Sequence, residues 1–364
     1  MKFSVQAGAL TAVLAIAARS CGKSGDRNFV ELCVEEKWPS RLTVRAVSLG
    51  SVSLTARMDL DAQGVAGTVA VRHENLLSWL QALPKAAAVS ADNYDQLRVV
   101  AGTSSARFAV MADPVSSDLP FAALTTTVVT TAGALQQFVR ETQHATGDSP
   151  AYPARSVPRF VISSAGISAV STDANRMHHA GELRDGVEVS IPELVLDTIA
   201  LLPPEAEVTV ATDGERVRIS TAEDRIVITT PQVGGTFAPW RKAMNVANQP
   251  HASATLSRVE LENALRGLNA VTDEPPIIDI AADNDGLLLT LAEDQDSMVS
   301  VNATWGSTDR APAARVNARF VSDVLRSSPG EQIVIKLPDK HESPIVFVAG
   351  ELVALVQQIR RAAA

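Results

Sequence analysis

Aromatic side chains are scarce in this sequence, with nine Phe, four Trp and two Tyr among 364 residues. Its cores must therefore be built from Val, Leu, Ile and Ala. Cysteine is nearly absent. Cys21 and Cys33 stand twelve residues apart with no CxxC and no Cys/His cluster beside them. That excludes a disulfide framework and leaves a buried or free thiol in a reducing compartment as the expectation. Positive charge is in deficit, at a net −9. A chain coated in basic surface for nucleic acid is thereby excluded, whereas DNA binding confined to one inner face is not. No run approaches the ~20 apolar residues needed to cross a membrane.

Familiar catalytic and ligand motifs are missing as well. Gly22-Lys23-Ser24 resembles the end of a phosphate-binding loop, but the loop's first glycine would fall at Ala17, inside a helical pattern. Asp283-Asn-Asp-Gly286 lacks the glycine of a calcium loop and reads as a hairpin turn between two strands. His178-His179 has no HExxH and no third ligand, so two solvated histidines at a strand edge are expected. There is no GxSxG elbow and no catalytic cysteine context. The N-terminus has the outline of a bacterial lipoprotein signal ending at Cys21. Arg19, however, occupies a place where a small residue belongs, and Lys2–Gln6 alternates like a strand. A short strand followed by an amphipathic helix to Arg19 is the expectation.

What is present is a repeat. Ala7-Gly-Ala-Leu10 recurs as Ala132-Gly-Ala-Leu135, and a third helical pattern starts at Ser257. Alternating segments at Arg41–Val47, Gly166–Val170 and Gly286–Leu291 form a second series. Helical patterns that stop at Pro84, Pro203 and Pro329 form a third. After each proline come short strands, one pair turning at Asp213-Gly214. The length suits two or three domains. The spacing predicts an α+β fold of three repeated domains, 1–122, 123–249 and 250–364, each with two helices packed on antiparallel strands. Turn formers at Ser116–Pro120 and Asn248–His251 mark the boundaries.

Two segments suggest one binding surface. Gly166–Met177 is a strand that breaks into the polar turn Thr172-Asp-Ala-Asn-Arg176, and Gly235-Thr-Phe-Ala-Pro-Trp-Arg-Lys242 follows about sixty residues on. With the opening Met1–Val5, Val316-Asn-Ala-Arg-Phe320 and Ser343–Phe347, these segments resemble the beta subunit of bacterial DNA polymerase III, the sliding clamp, across essentially the whole chain. The resemblance implies a non-catalytic subunit without cofactor or metal, acting in the cytoplasm at the nucleoid. Two three-domain chains would join head to tail into a six-domain ring around double-stranded DNA, touching phosphates without reading sequence. Its partners would be a second copy of itself, the replicative polymerase, the clamp loader and other proteins carrying a clamp-binding motif, with no membrane.

Carried over by position, the DNA-facing residues would be Arg19, Lys23, Arg72, Arg140, Arg266 and Arg319. The ring would close through Phe108 and Val110 against Ala270 and Val271. A pocket for extended peptides would be lined by Thr172, Arg176, Met177, Ala238, Lys242, Ala243, Asn317, Phe320 and Val346, with Leu355, Val356, Gln357, Gln358, Ile359 and Arg360 from the terminal strand. The chain departs from the family at Ala174 and Asn175, where glycine and histidine are usual. It departs again at Pro239, shifted by one from Ala238, and at Gln357-Gln358, which replace an apolar floor. Two amides there must be hydrogen-bonded or wet, so an altered peptide preference is expected. Two other readings remain open: a clamp-fold regulator or decoy of clamp partners, and a secreted repeat-type binding lipoprotein.

Overall fold

The chain is described by a computed structural model covering residues 1–359 except 20, 22–28, 36–39, 49–51, 61, 63, 112–124, 250–251, 273, 284–285, 295, 307–312 and 341. Gly22–Ser24 with Lys23, Arg360 and the boundary at Ser116–Pro120 lie outside the described residues, as do parts of the segments at Asp283–Gly286 and Asn248–His251. The chain gathers into two compact units. One comprises Met1–Gln136, Ile162–Gly166 and Ile191–Gln232, and the other Gln137–Val161, Ile167–Ser190 and Val233–Ala364.

The threefold pattern reappears in the helices. Ala7–Arg19, Ala132–Thr142 and Arg258–Asn269 each follow a strand directly, and His73–Gln81, Glu193–Ile199 and Ala318–Ser327 each stop short of a proline. Local chemistry accounts for them. In the first helix Ala7, Leu10, Leu14 and Ala17 recur at helical spacing and are buried. Ser257 caps its helix by accepting from the Glu260 N–H at 3.3 Å, and Asn317 caps the next by accepting from Arg319 N–H at 2.9 Å. The fold is α+β, three repeats of two helices on antiparallel strands. Among the described residues no helix is long and apolar enough to cross a membrane.

The first unit carries a twelve-stranded sheet. From Lys2–Gln6 at one end it runs through Ala88–Asn93, Gln96–Ala101, Ser104–Met111, Gly67–Arg72, Phe29–Val34, Arg41–Ser48 and Val52–Asp59. Ile226–Pro231, Arg216–Thr221, Glu207–Thr212 and Thr126–Thr131 complete it. Strand alternation is plain at the start, where Phe3 and Val5 are buried and Lys2 and Gln6 exposed.

The chain's other sheet also has twelve strands and dominates the second unit. Its order is Val187–Ser190, Arg159–Ser163, Gly166–Thr172, Arg176–Ala180, Leu352–Val356 and Ile345–Ala349, then Gln332–Leu337, Ala252–Ser257, Met298–Trp305, Gly286–Leu291, Ile277–Ala282 and Ala314–Asn317. Two cores lie in this unit. The larger joins helices Arg258–Asn269 and Ala318–Ser327 to the sheet through residues such as Leu261, Leu265, Val321, Ile335 and Phe347. The smaller comprises Val161, Val170, Met177, Trp240, Met244, Ala247, Val346 and Leu355. Strand Gly286–Leu291 opens on glycine because a Cβ there would collide with the Val301 carbonyl of its neighbour.

One expectation is corrected here. His178 and His179 are not solvated at an edge: strand Arg176–Ala180 pairs with Gly166–Thr172 on one side and Leu352–Val356 on the other. The two side chains are 0% and 1% exposed. His178 uses Nδ1 on the Glu141 carbonyl at 3.1 Å, and His179 stacks on Trp240 with ring centroids 5.4 Å apart.

Candidate functional site

The polar turn after Gly166–Thr172 is held by its own side chains. Thr172 Oγ1 donates to the Arg176 carbonyl at 2.7 Å and accepts from Ala174 N–H at 3.1 Å. Asp173 Oδ1 accepts from the N–H groups of Asn175 and Arg176 at 2.8 and 2.9 Å. The same turn occurs at Thr212-Asp-Gly-Glu-Arg216, bond for bond, with distances of 2.6 to 2.9 Å. Both put their third residue at positive φ, +91° for Gly214 and +80° for Ala174. Glycine takes that conformation freely, whereas alanine there costs roughly 1 kcal/mol or more. The departure at Ala174 is therefore a strained one, kept by the hydrogen bonds around it.

Beside this turn lies a cavity of about 330 Å³, lined by Arg155, Thr172, Ala174, Asn175, Arg176, Met177, Ala238, Pro239, Trp240, Ala243, Pro344, Leu355 and Gln357. Its floor comes from adjacent strands, with Met177 opposite Thr172 on one side and opposite Leu355 on the other. One wall is helix Trp240–Ala247 and the segment before it. That helix buries Trp240, Met244 and Ala247 on one face and leaves Lys242 exposed on another. Trp240 is fixed on three sides. Its Nε1–H donates to Glu188 at 3.2 Å, His179 stacks on it, and the Arg241 guanidinium lies 4.5 Å from its ring centroid.

Arg176 is the most constrained charge in the wall. Its Nε donates to Asp173 at 3.0 Å, a terminal nitrogen pairs with Asp323, and the guanidinium sits 4.7 Å from the Phe320 ring centroid. Its side chain is 8% exposed and that of Asp323 7%. Asp323 also accepts from Arg326 at 3.2 Å. Burial lowers the pKa of nearby His144, against the opposing charge of Asp323.

Of the residues assigned to the pocket by resemblance, Thr172, Arg176, Met177, Ala238, Ala243, Leu355 and Gln357 lie around this cavity. Val346 lies beneath it in the smaller core, and Val356 belongs to the larger one. Phe320 stands behind Arg176, Asn317 caps its helix, and Ile359 donates its N–H to the Arg315 carbonyl at 2.8 Å. Of the amide pair, Gln357 lines the cavity and Gln358 does not. Gln358 is buried and donates to the carbonyls of Lys340 and Ser343 at 3.1 and 2.6 Å, turning it onto the neighbouring loop. Gln357 donates to the Glu342 carbonyl at 3.1 Å, and its N–H bonds Asn175 O at 2.8 Å. The strand floor stays apolar at Met177 and Leu355, beside the helix wall of Trp240 and Ala243. Arg155, Ala174, Asn175, Pro239, Trp240 and Pro344 line the cavity without having been assigned to it. Trp240 and Pro239 sat inside the quoted Gly235–Lys242 segment, and a Trp in a chain so poor in aromatics was the available signal.

The residues assigned to DNA are on helices or at their ends. Arg19, Arg140 and Arg266 lie in last turns, Arg319 in a first turn and Arg72 immediately before a helix, and all five are exposed. Arg266 is partly neutralised by Glu262 at 3.3 Å, and Arg72 lies 5.6 Å from the Phe29 ring centroid.

Two strands leave part of one edge open among the described residues. Ser104–Ala109 pairs with Gln96–Ala101, but Gly67–Arg72 meets only Val110 and Met111. Met298–Asn302 pairs with Gly286–Thr290, whereas Ala252–Ser257 takes only Ala303–Trp305. Phe108 and Val110 are half-buried on the first, Phe108 edge-on to Trp79 at 6.4 Å, and Ala270 and Val271 are exposed.

No protein-family model and no curated protein matches the sequence. Solved structures do match in fold. A DNA polymerase sliding clamp from Pseudomonas aeruginosa, determined with a ligand, superposes at a TM-score of 0.85 and 18% identity over 99% of this chain and 100% of that one. DNA polymerase III beta subunits from Thermotoga maritima and Eubacterium rectale superpose at 0.82 with 17% and 12% identity, each over 99% of this chain and 100% of theirs. Over its whole length the chain has the fold of a sliding clamp.

Proposed function

We propose that this chain is a DNA sliding clamp, a non-catalytic processivity factor. Two copies close head to tail, encircle duplex DNA and hold a polymerase, a clamp loader and other partners through peptides seated in the cavity. The observation that carries this reading is the full-length likeness in fold to sliding clamps at 99% coverage. Its three domains are taken as 1–122, 123–249 and 250–364, which gives a six-part ring. The open edges at Ser104–Ala109 and Met298–Asn302 supply the two dissimilar surfaces that head-to-tail closure requires. Exposed arginines at the helix ends supply a sparse set of phosphate contacts, compatible with sliding and with a net charge of −9. Such a protein works where the DNA is, in the cytoplasm at the nucleoid.

The cavity suits an extended peptide ending in large apolar residues, since an apolar floor with a few polar groups at the rim is the usual form of such sites. A labelled QLxLF-type peptide is expected to bind, and Leu355→Glu, which sets a carboxylate in the floor, to weaken it by roughly thirtyfold, the scale of a hot-spot loss. Fluorescence anisotropy reads both. No binding to the unaltered protein, or equal binding to the variant, would remove the pocket from the account.

A further inference from the structure

The wall helix Trp240–Ala247 does not secure its own start. It is eight residues long, its N-cap Pro239 makes no side-chain hydrogen bond, and its first turn holds no acidic residue. A helix so short and uncapped takes its position from its surroundings. Those surroundings supply one carboxylate. Glu188, on the edge strand Val187–Ser190, has both oxygens engaged by the helix and its approach. Oε1 accepts from Trp240 Nε1–H at 3.2 Å and from Arg241 Nε–H at 3.3 Å, and Oε2 accepts from Arg159 Nε–H at 3.0 Å. The Arg159 guanidinium in turn lies 5.1 Å from the ring centroid of Phe237, in the segment leading into the helix. Trp240 lines the cavity, whereas Glu188 does not.

We propose that Glu188 is a positioning residue: it sets where the Trp240 indole lies, and through it the helix wall of the cavity, without touching a bound peptide. Its consequence for binding rests on the peptide-binding reading above. The other contacts of the indole hold its faces. His179 stacks on it at an interplanar angle of 18°, and Arg241 lies over the ring. Stacking resists tilting but lets a ring slide and turn in its own plane, whereas a directional N–H bond fixes both. The imidazole adds no polar anchor, since His179 Nε2 has no hydrogen-bond partner among the described residues. Nor does the second ion pair of Arg241 replace Glu188. That pair is to Asp185 at 3.1 Å, whose side chain is fully exposed, so solvent screens it. The Glu188 side chain is 26% exposed, and two of its three bonds are charge-assisted.

The test is a double-mutant cycle in the full-length protein with two readouts. Glu188→Ala is expected to shift the Trp240 emission to longer wavelength and to increase its quenching by acrylamide. The signal of Trp240 is isolated by subtracting the Trp240→Phe spectrum, in whose background Glu188→Ala should leave the remaining emission unchanged. Glu188→Ala should also weaken the QLxLF-type peptide by about threefold to tenfold, the scale of one hydrogen bond. In the Trp240→Phe background, which has no indole N–H to hold, the loss should be less than about twofold. Glu188→Gln, which keeps an acceptor without the charge, should recover part of both signals. Equal affinity losses in the two backgrounds, or an indole emission indifferent to Glu188→Ala, overturn the inference. If the unaltered protein binds no peptide while the Trp240 emission still shifts, the pocket reading fails and the placement of Trp240 by Glu188 stands.

Discussion

Acidification from pH 6.5 to 4.5 is expected to remove on the order of 4–5 kcal/mol from the second unit's stability through His178 and His179. Burial, first of all, lowers the folded-state pKa of His178 to about 3, with the charges of Arg176 and His144 adding to it against the Glu141 hydrogen bond. Burial and then Arg241 bring His179 to about 4. In the unfolded chain both titrate near 6.5. The unfolded state therefore binds protons first, and stability is full above pH 6.5 and falls as pH drops toward 4 and 3. Burial raises the Glu141 carboxyl, which works in the opposite sense and offsets part of the loss. The effect is read as the difference in denaturation midpoint between pH 7 and 4.5, in the unaltered protein and in His178→Gln/His179→Gln. A much flatter pH response in the variant is expected. An unchanged one would mean that the two imidazoles are not held neutral.

Asp323→Ala is expected to cost about 3–5 kcal/mol, because it strands the Arg176 guanidinium with half its counter-charge in a site where its side chain is 8% exposed. Arg326 also touches Asp323, but its side chain is 65% exposed, so Arg326→Ala should cost under about 1 kcal/mol. The contrast between the two variants is the test, by chemical denaturation with a probe in the second unit. Similar losses would place the stabilisation in helix Ala318–Ser327 generally, not in the buried pair. Asp323 also anchors one wall of the cavity through Arg176, so its loss should weaken the QLxLF-type peptide without any contact to it.

The repeat was legible in the sequence because it lives in local signals. Helix starts at Ala7, Ala132 and Arg258 and stops before Pro84, Pro203 and Pro329 depend on spacing and caps that a linear reading can see. So was the Thr172–Arg176 turn, although its twin at Thr212–Arg216 passed unremarked as a pair. The histidines were misread because Arg-Met-His-His-Ala has no apolar run, and only the sheet order makes strand Arg176–Ala180 central and covered. Imidazoles kept neutral by burial can occupy such a position; nothing in their neighbours' identities says so. Both amides are hydrogen-bonded, as expected, but the place of Gln358 outside the cavity was misread for a similar reason. What satisfies Gln358 is a pair of carbonyls on a loop some fifteen residues earlier, and backbone acceptors leave no mark in a sequence. Arg155 and Pro344 join the cavity through long-range packing alone, which is why resemblance to a family motif did not reach them.

The proposed function is topological: a ring that would close around DNA and slide along it. Its most direct measurement is retention on nicked circular duplex in the presence of a clamp loader, before and after a single cut that makes the circle linear. Stable retention on the circle, resistant to moderate salt, is expected, with rapid loss from the ends once it is cut. Retention that survives linearisation, or that never exceeds the salt-sensitive binding of a protein held by charge alone, would contradict it.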